Sequence, residues 1–138
     1  MLAMNVIWVF SPDMTKVLMC KRHKEPYMDL FNLVGGKLES GEDGLTAAYR
    51  ELVEETGITN IELFHLLDCI YHLSDIRLEV YVGRLQQEIH VSGDEKELVW
   101  VDVSNNFFDM TRFAGEGNIG HIYEQIKINI SRNKLVLY

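Results

Sequence analysis

Four glutamates and one arginine are concentrated in a short stretch of the sequence, residues 42–55, which reads EDGLTAAYRELVEE. Because successive residues of an α-helix turn by about 100°, a helix here places Glu51, Glu54 and Glu55 on one face. Like charges at these spacings repel, and anions near a helix C-terminus oppose the macrodipole. Clustered hard oxygen ligands of this kind suit a compensating Mg²⁺ or Mn²⁺. The helix by itself leaves an alternative open, a solvated acidic helix end in which Arg50 pairs with Glu54.

Glycines on both sides of this helix favour the metal site. From Gly36 to Ile58 the sequence fits the pattern G-x5-E-x7-R-E-U-x-E-E-x-G-U at every position, where U is a bulky aliphatic residue. The matching residues are Gly36, Glu42, Arg50, Glu51, Leu52, Glu54, Glu55, Gly57 and Ile58. On these residues the chain resembles the Nudix hydrolase superfamily, whose members hydrolyse a nucleoside diphosphate linked to another group. The resemblance implies an α/β (α+β) fold, an α/β/α sandwich with a mixed central sheet.

The resemblance also implies roles for individual residues. Glu51, Glu54 and Glu55 would ligate Mg²⁺ or Mn²⁺ together with the backbone carbonyl of Gly36. Arg50, Glu51 and Glu54 would be catalytic, with the Arg50 guanidinium orienting the glutamates by hydrogen bonds. In the family, the base that accepts a proton from the attacking water is either a glutamate of the motif or an acidic residue on a later loop. The candidates on that loop are Glu95 and Glu97; the alternative is an ordinary charged loop.

Substrate contacts are indicated by the run FNLVGGK at residues 31–37. It is similar to the W-N-x-x-G-G-K segment of MutT-like members, with Phe31 in place of Trp. The resemblance implies that Asn32 contacts the base, whereas its alternative role is that of a turn or edge residue. Lys21, Arg22 and Lys37 are candidates for phosphate contacts, or else solvated ends.

The function implied is that of a (d)NTP pyrophosphohydrolase, acting on ordinary or oxidised nucleotides and releasing a monophosphate and pyrophosphate. The alternatives are a non-catalytic sensing Nudix module and a hydrolase for another substrate, such as a nucleotide sugar or a dinucleotide.

Hydrophobic patterning predicts the elements that position these residues. Apolar, β-branched runs predict strands, and a 3.6-residue period predicts the last helix. The predicted strands are 5–10, 16–22, 30–34, 61–73, 76–85 and 98–103, and the predicted helices are 45–56, ended by Gly57, and 119–130. On the first helix, Leu45, Ala48, Tyr49 and Leu52 are predicted to pack on the sheet.

Length and charge restrict the class of protein. The 138 residues predict one domain, 1–138, and the net charge of −8 disfavours binding to a nucleic acid polymer. No apolar run is long enough to span a membrane. Cys20 and Cys69 lie in apolar runs and are predicted to be buried thiols. We therefore expect a cytoplasmic protein with a nucleotide-type small-molecule substrate; the sequence leaves a homodimer open.

Overall fold

The computed structural model describes residues 1–91 and 97–138. Within these residues it has six strands and two helices. The strands are β1 (Leu2–Phe10), β2 (Lys16–Lys21), β3 (Phe31–Leu33), β4 (Leu63–Tyr71), β5 (Ile76–Arg84) and β6 (Glu97–Asp102). The helices are α1 (Gly44–Thr56) and α2 (Asn118–Ser131). None of the described helices is long and apolar enough to cross a membrane.

The strands form one mixed sheet. Its order is β3-β2-β1-β5-β4, and β6 pairs with β2. β1 and β5 run parallel from the pair Leu2/Ile76 to the pair Phe10/Arg84, whereas β4 and β5 form an antiparallel hairpin. Side chains alternate between the two faces of a strand, so β1 contributes apolar residues to both layers.

The two helices cover opposite faces of this sheet. Ile7 and Val9 belong to a core cluster with Leu52 of α1, and Trp8 and Phe10 belong to a second cluster with α2. These observations confirm the predicted α/β/α sandwich with a mixed central sheet.

Helix α1 begins and ends as its sequence predicts. The Asp43 side chain accepts a hydrogen bond from Thr46 N–H, which satisfies one of the free donors of the first turn. Gly57 adopts a left-handed conformation with φ of 76° and ends the helix. This cap holds the acidic residues of the last two turns at defined positions along the helix.

The predicted packing face of α1 is partly wrong. Ala48 and Leu52 are buried and Tyr49 is half-buried, but Leu45 is 40% exposed. Leu45 lies in the first turn and does not join either core cluster, so its angular position alone did not bury it. Ala47 is buried instead, on the side where the helix carries its glutamates. The acidic face is therefore only partly solvated.

The cysteines differ in burial. Cys20 is buried, as predicted, whereas Cys69 is half-buried, and neither forms a disulfide. Cys69 lies near the end of β4, where its Sγ is 3.7 Å from Asn118 Oδ1 on α2.

Candidate active site

Arg50 holds three of the acidic side chains in place. Its Nε and Nη2 donate to the two carboxylate oxygens of Glu42 at 2.7 and 2.8 Å. Its Nη1 donates to Glu51 Oε1 and to Glu54 Oε2, both at 3.1 Å. Nη2 also donates to the carbonyl of Lys37 at 3.1 Å. A planar guanidinium offers five donors in fixed directions, so a single side chain sets the positions of two candidate metal ligands and closes the loop that precedes the helix.

The glycine pair of the motif lies directly against the same carboxylates. A Cβ atom on Gly36 would be 2.5 Å from the Glu51 carboxyl carbon, so only glycine leaves that carboxylate in place. The Gly35 amide donates to Glu55 Oε2 at 3.2 Å. The structure thus brings Gly36, Glu51, Glu54 and Glu55 together, as the resemblance implies.

The side chain of Asn5 anchors this loop to the sheet. The main-chain N–H of Asn5 donates to the Gly36 carbonyl at 2.8 Å, and the main-chain N–H of Gly36 donates to the Asn5 side-chain Oδ1 at 3.0 Å. Sequence reasoning missed this residue. A signal existed, because Asn5 shares a strand face with Ile7 and Val9 and interrupts an otherwise apolar alternation.

The electrostatics of the cluster favour a cation. One guanidinium faces the carboxylates of Glu42, Glu51 and Glu54, and Glu55 adds a fourth acidic side chain beside them. Partial burial raises the pKa of Glu51, which the neighbouring Arg50 opposes. By contrast, hydrogen bonds from Arg50 and from the Glu39 amide lower the pKa of Glu42 to about 2. Arg50 makes its two shortest bonds with Glu42, and Glu51 and Glu54 share the remaining Nη1, so three carboxylates gather around one guanidinium.

This donor set fits Mg²⁺ or Mn²⁺. Both ions prefer carboxylate and carbonyl oxygens, and Mg²⁺ commonly combines a few carboxylates with substrate phosphates. Glu51 and Glu55 lie against the glycine pair and Arg50 orients Glu51 and Glu54, so the three carboxylates supply such oxygens within one patch.

Other predicted site residues make contacts elsewhere. Arg22 Nε donates to the Pro26 carbonyl at 2.8 Å, within its own loop. Lys21 is half-buried at the end of β2, in register between Phe31 and Glu97. Among the described residues, Glu97 Oε2 lies 3.9 Å from Nε2 of His23.

Two further candidates have different outcomes. Lys37 is exposed, and it is the Lys37 carbonyl that Arg50 contacts. Glu95, the other candidate base, lies outside the described residues.

A cavity of about 290 Å³ lies on the α2 side of β1. Its apolar lining includes Met4 and Val6 of β1, and its polar lining includes Asn32 and Asn118. Asn32 Oδ1 accepts the Leu33 amide at 2.8 Å. Met4 lines the cavity while the next residue, Asn5, bonds to Gly36, and the glycine loop lies beside β1, where Met4 pairs with Lys37 and Ile7 pairs with Val34. The sequence offered Asn32 as a candidate base contact or an edge residue, and it did not predict the cavity that Asn32 lines.

Two loops meet at the rim of this cavity. Tyr27 donates its hydroxyl to Glu116 Oε2 at 2.8 Å, and both residues line the cavity. Burial and this carboxylate raise the pKa of Tyr27 to about 12. The phenol therefore stays protonated and keeps the two loops joined.

The aromatic residues before α2 divide between core and surface. Phe107 and Phe113 are buried in the core cluster on the α2 side, whereas Phe108 is 52% exposed.

A second acidic group lies between β4 and β5. Ligand atoms of His65, Asp68 and Glu79 lie within 4.8 Å of one another. Glu79 is already satisfied, since Tyr81 donates to its Oε1 at 2.7 Å and Arg77 to its Oε2 at 3.0 Å. This group is an ion-pair network with its own cation.

Comparisons with known proteins agree with this architecture. A family model described as NUDIX domain matches residues 1–121. The RNA pyrophosphohydrolase of Pelagibacter ubique (strain HTCC1062) is 45% identical over 62 residues, which is 45% of this chain. The match spans only 38% of the length of that relative.

Solved structures share the fold at low sequence identity. A MutT structure from a study of the Aliivibrio salmonicida and Vibrio cholerae proteins has a TM-score of 0.71 at 21% identity, covering 91% of this chain and 97% of that one. MutT of Methanosarcina mazei Go1 has a TM-score of 0.71 at 18% identity, over 93% and 94%. The NUDIX domain of Shewanella oneidensis NrtR, solved with ADP ribose, has a TM-score of 0.68 at 18% identity, over 94% and 88%.

Proposed function

The chain belongs to the NUDIX family, and on that premise we propose that it is a divalent-metal-dependent pyrophosphohydrolase acting on a nucleoside triphosphate or a related nucleoside diphosphate derivative. The observation that carries the proposal is the Arg50 side chain, which orients Glu51 and Glu54 beside Gly36 while Glu55 contacts the neighbouring glycine.

The glutamates and the glycine carbonyl would hold the metal. Glu51, Glu54, Glu55 and the Gly36 carbonyl would be its ligands, and Arg50 would keep two of the carboxylates in position. Bound Mg²⁺ or Mn²⁺ would neutralise phosphate charge and lower the pKa of a water molecule.

The chain supplies a base for that water. In the proposed step, the water oxygen attacks phosphorus in line, a carboxylate accepts the water proton, and the bond to the departing pyrophosphate oxygen breaks. We assign the base to Glu54, which is the more exposed of the two glutamates that Arg50 orients, with 57% of its side chain exposed against 13% for Glu51. Glu97 is the second candidate, although its own ion pair is with His23.

The cavity on the α2 side supports a nucleoside as the other part of the substrate. Its size and its mixture of apolar walls with amide groups suit a ring system that needs a few oriented hydrogen bonds. Asn32 lines it and would contact the base. The phosphates of that substrate would lie at the metal that the glutamates hold. Lys37, which is exposed next to Gly36, would contact those phosphates.

A second substrate class is favoured by the relative from Pelagibacter ubique, which is named an RNA pyrophosphohydrolase. The same glutamates could act on the 5′-triphosphate end of an RNA. The net charge of −8 opposes tight binding of a long polyanion, so free nucleotides are the first choice.

A substrate panel with Mg²⁺ or Mn²⁺ tests the proposal. The panel contains the (d)NTPs and their oxidised forms, a nucleotide sugar, a dinucleotide, ADP-ribose and a short 5′-triphosphate RNA, with phosphate and pyrophosphate release measured. Glu54→Gln should reduce turnover by at least about 10³-fold without changing the melting temperature. Glu62→Gln, at an exposed glutamate outside the cluster, is the matched control and should behave as wild type.

The outcomes separate the alternatives. Release from the RNA but from none of the free nucleotides would replace the first substrate class by the second. Nucleotide binding without turnover on the whole panel would identify a sensing module instead. Loss of turnover in Glu97→Gln with activity retained in Glu54→Gln would move the base to the later strand.

A further inference from the structure

Asn5 is a polar residue in a buried position of the sheet. It is 1% exposed, and its neighbours on the same face of β1, Ile7 and Val9, are fully buried apolar residues. Within residues 1–91 and 97–138, no group is in hydrogen-bond contact with its Nδ2. A buried donor without a partner is unfavourable, so an apolar residue would serve packing better at this position. We therefore looked for a role of the Asn5 side-chain amide other than stabilising the sheet.

The bonds of Asn5 converge on a single residue of the candidate metal loop. Its main-chain N–H donates to the Gly36 carbonyl at 2.8 Å, and its side-chain Oδ1 accepts the Gly36 N–H at 3.0 Å. The side-chain bond holds the Gly35–Gly36 peptide, and the main-chain bond holds the peptide that follows it, so the two bonds together fix the conformation of Gly36. Because a carbonyl oxygen has two lone pairs, the oxygen that accepts from Asn5 still has one lone pair for a cation.

The opposite side of the loop is held by the glutamates. The Glu51 carboxylate occupies the space in which a Gly36 side chain would lie. Gly35 contacts the Asn5 main chain on one side, where a Cβ would be 2.2 Å from the Asn5 carbonyl oxygen, and Glu55 on the other. The glycine pair thus lies between Asn5 and two glutamates.

We propose that Asn5 is the positioning residue of the metal loop, and that its side-chain Oδ1 sets the Gly35–Gly36 peptide, and through it Gly36, for divalent-cation binding. This inference rests on the proposed function for the identity of the ligands. It makes Asn5 act through Gly36, without touching the substrate. Residues that orient the ligands of a metal typically change its affinity by about 10–100-fold when they are replaced.

Mn²⁺ binding measures this role without any need for turnover. Asn5→Leu removes the acceptor and also the unpartnered donor, so we expect the melting temperature to change little while the dissociation constant for Mn²⁺, measured by electron paramagnetic resonance or calorimetry, rises about tenfold. Asn5→Asp keeps an oxygen acceptor for the Gly36 N–H. Its dissociation constant for Mn²⁺ should therefore be at most about threefold higher than that of wild type. Recovery in the Asp variant would distinguish positioning from bulk packing.

Ile7→Val is the matched control, because it removes a methyl group on the same face of the same strand. It should lower the melting temperature and leave Mn²⁺ affinity unchanged. Mn²⁺ binding by Asn5→Leu at wild-type affinity would overturn the inference, and so would equal weakening in Ile7→Val. If Asn5→Asp does not fold, the comparison of Asn5→Leu with Ile7→Val decides alone.

The binding data also separate this inference from the proposed function. A wild-type protein that binds Mn²⁺ but hydrolyses nothing on the panel would refute the proposed function, whereas a tenfold weaker affinity in Asn5→Leu would still support the role of Asn5. An active wild type with an unaffected Asn5→Leu would refute the inference alone.

Discussion

Replacement of Gly36 by alanine tests the geometry of the candidate metal site most directly. The new Cβ would lie 2.5 Å from the carboxyl carbon and from Oε2 of Glu51, and 2.7 Å from its Oε1. Ordinary van der Waals contact begins at about 3.4 Å, so the carboxylate has to retreat by about 0.9 Å. The end of a flexible side chain moves more easily than the backbone, so Glu51 moves and the loop stays in place.

The expected cost falls on activity more than on stability. A misplacement of about 1 Å in a catalytic constellation reduces the rate by about 100-fold, which corresponds to about 2.7 kcal/mol of transition-state stabilisation. The carboxylate cannot retreat without losing its 3.1 Å bond to Arg50 or its place against Gly36. We therefore expect kcat/KM on the best substrate of the panel to fall about 100-fold, with weaker Mn²⁺ binding and a nearly unchanged melting temperature.

Gly57→Ala is the control for this experiment. A Cβ on Gly57 would have no atom within 4 Å, but the φ of 76° is strained for alanine. It should cost about 1–2 kcal/mol of stability and leave kcat/KM unchanged. Two results would refute the reasoning that the Glu51 carboxylate occupies the space beside Gly36. One is a Gly36→Ala variant that keeps more than about a third of wild-type kcat/KM, and the other is an equal loss of activity in both variants.

Three further predictions concern the framework of the site. Because Arg50 lowers the pKa of Glu42 to about 2, the Arg50–Glu42 bond stabilises the fold above the ordinary glutamate pKa, and this stabilisation is lost as the pH falls towards 2. In urea unfolding, Glu42→Gln should therefore have a lower free energy of unfolding than wild type at neutral pH, and the difference should disappear towards pH 2. A difference that does not depend on pH would contradict this reasoning. A Cβ on Gly44 would clash with Glu79 Oε1, so Gly44→Ala should unfold at a lower temperature than wild type. In a Glu79→Ala background the same Gly44→Ala change should lower the melting temperature by less. Equal effects in both backgrounds would show that the clash is relieved elsewhere. Leu52→Ala, at a fully buried position of α1, should cost about 2–5 kcal/mol in the free energy of unfolding, and a cost below about 1 kcal/mol would mean that the helix repacks on the sheet.

The motif determined the local part of the site, because its residues are close along the chain. Helical geometry alone places Glu51, Glu54 and Glu55 on one face, and Gly57 ends the helix by its conformation. The Arg50–Glu54 bond, an i, i+4 contact, was also predictable. These features depend on the backbone of one helix and its adjoining loop, so no distant part of the fold was needed to predict them.

Contacts between distant segments required the tertiary structure. Asn5 holds Gly36 across 31 positions of sequence, and Tyr27 reaches Glu116 across 89. Leu45 lies at a helical angle that predicts burial, yet it is exposed, because the angle does not tell which turn the sheet covers. Arg22 turns its guanidinium into its own loop, which no pattern of charges revealed.

By itself, then, the sequence determined which residues carry the chemistry of the motif and on which helix face they lie, since that information is periodic and local. The tertiary structure alone decided how those residues meet the rest of the protein. The parallel pairing of β1 with β5 places Asn5 inside the sheet, and the antiparallel pairing of the glycine loop with the other edge of β1 brings Gly36 to Asn5. The cavity forms between the sheet and α2. Each of these follows from which strands are neighbours, and strand order is set by burial of the whole core.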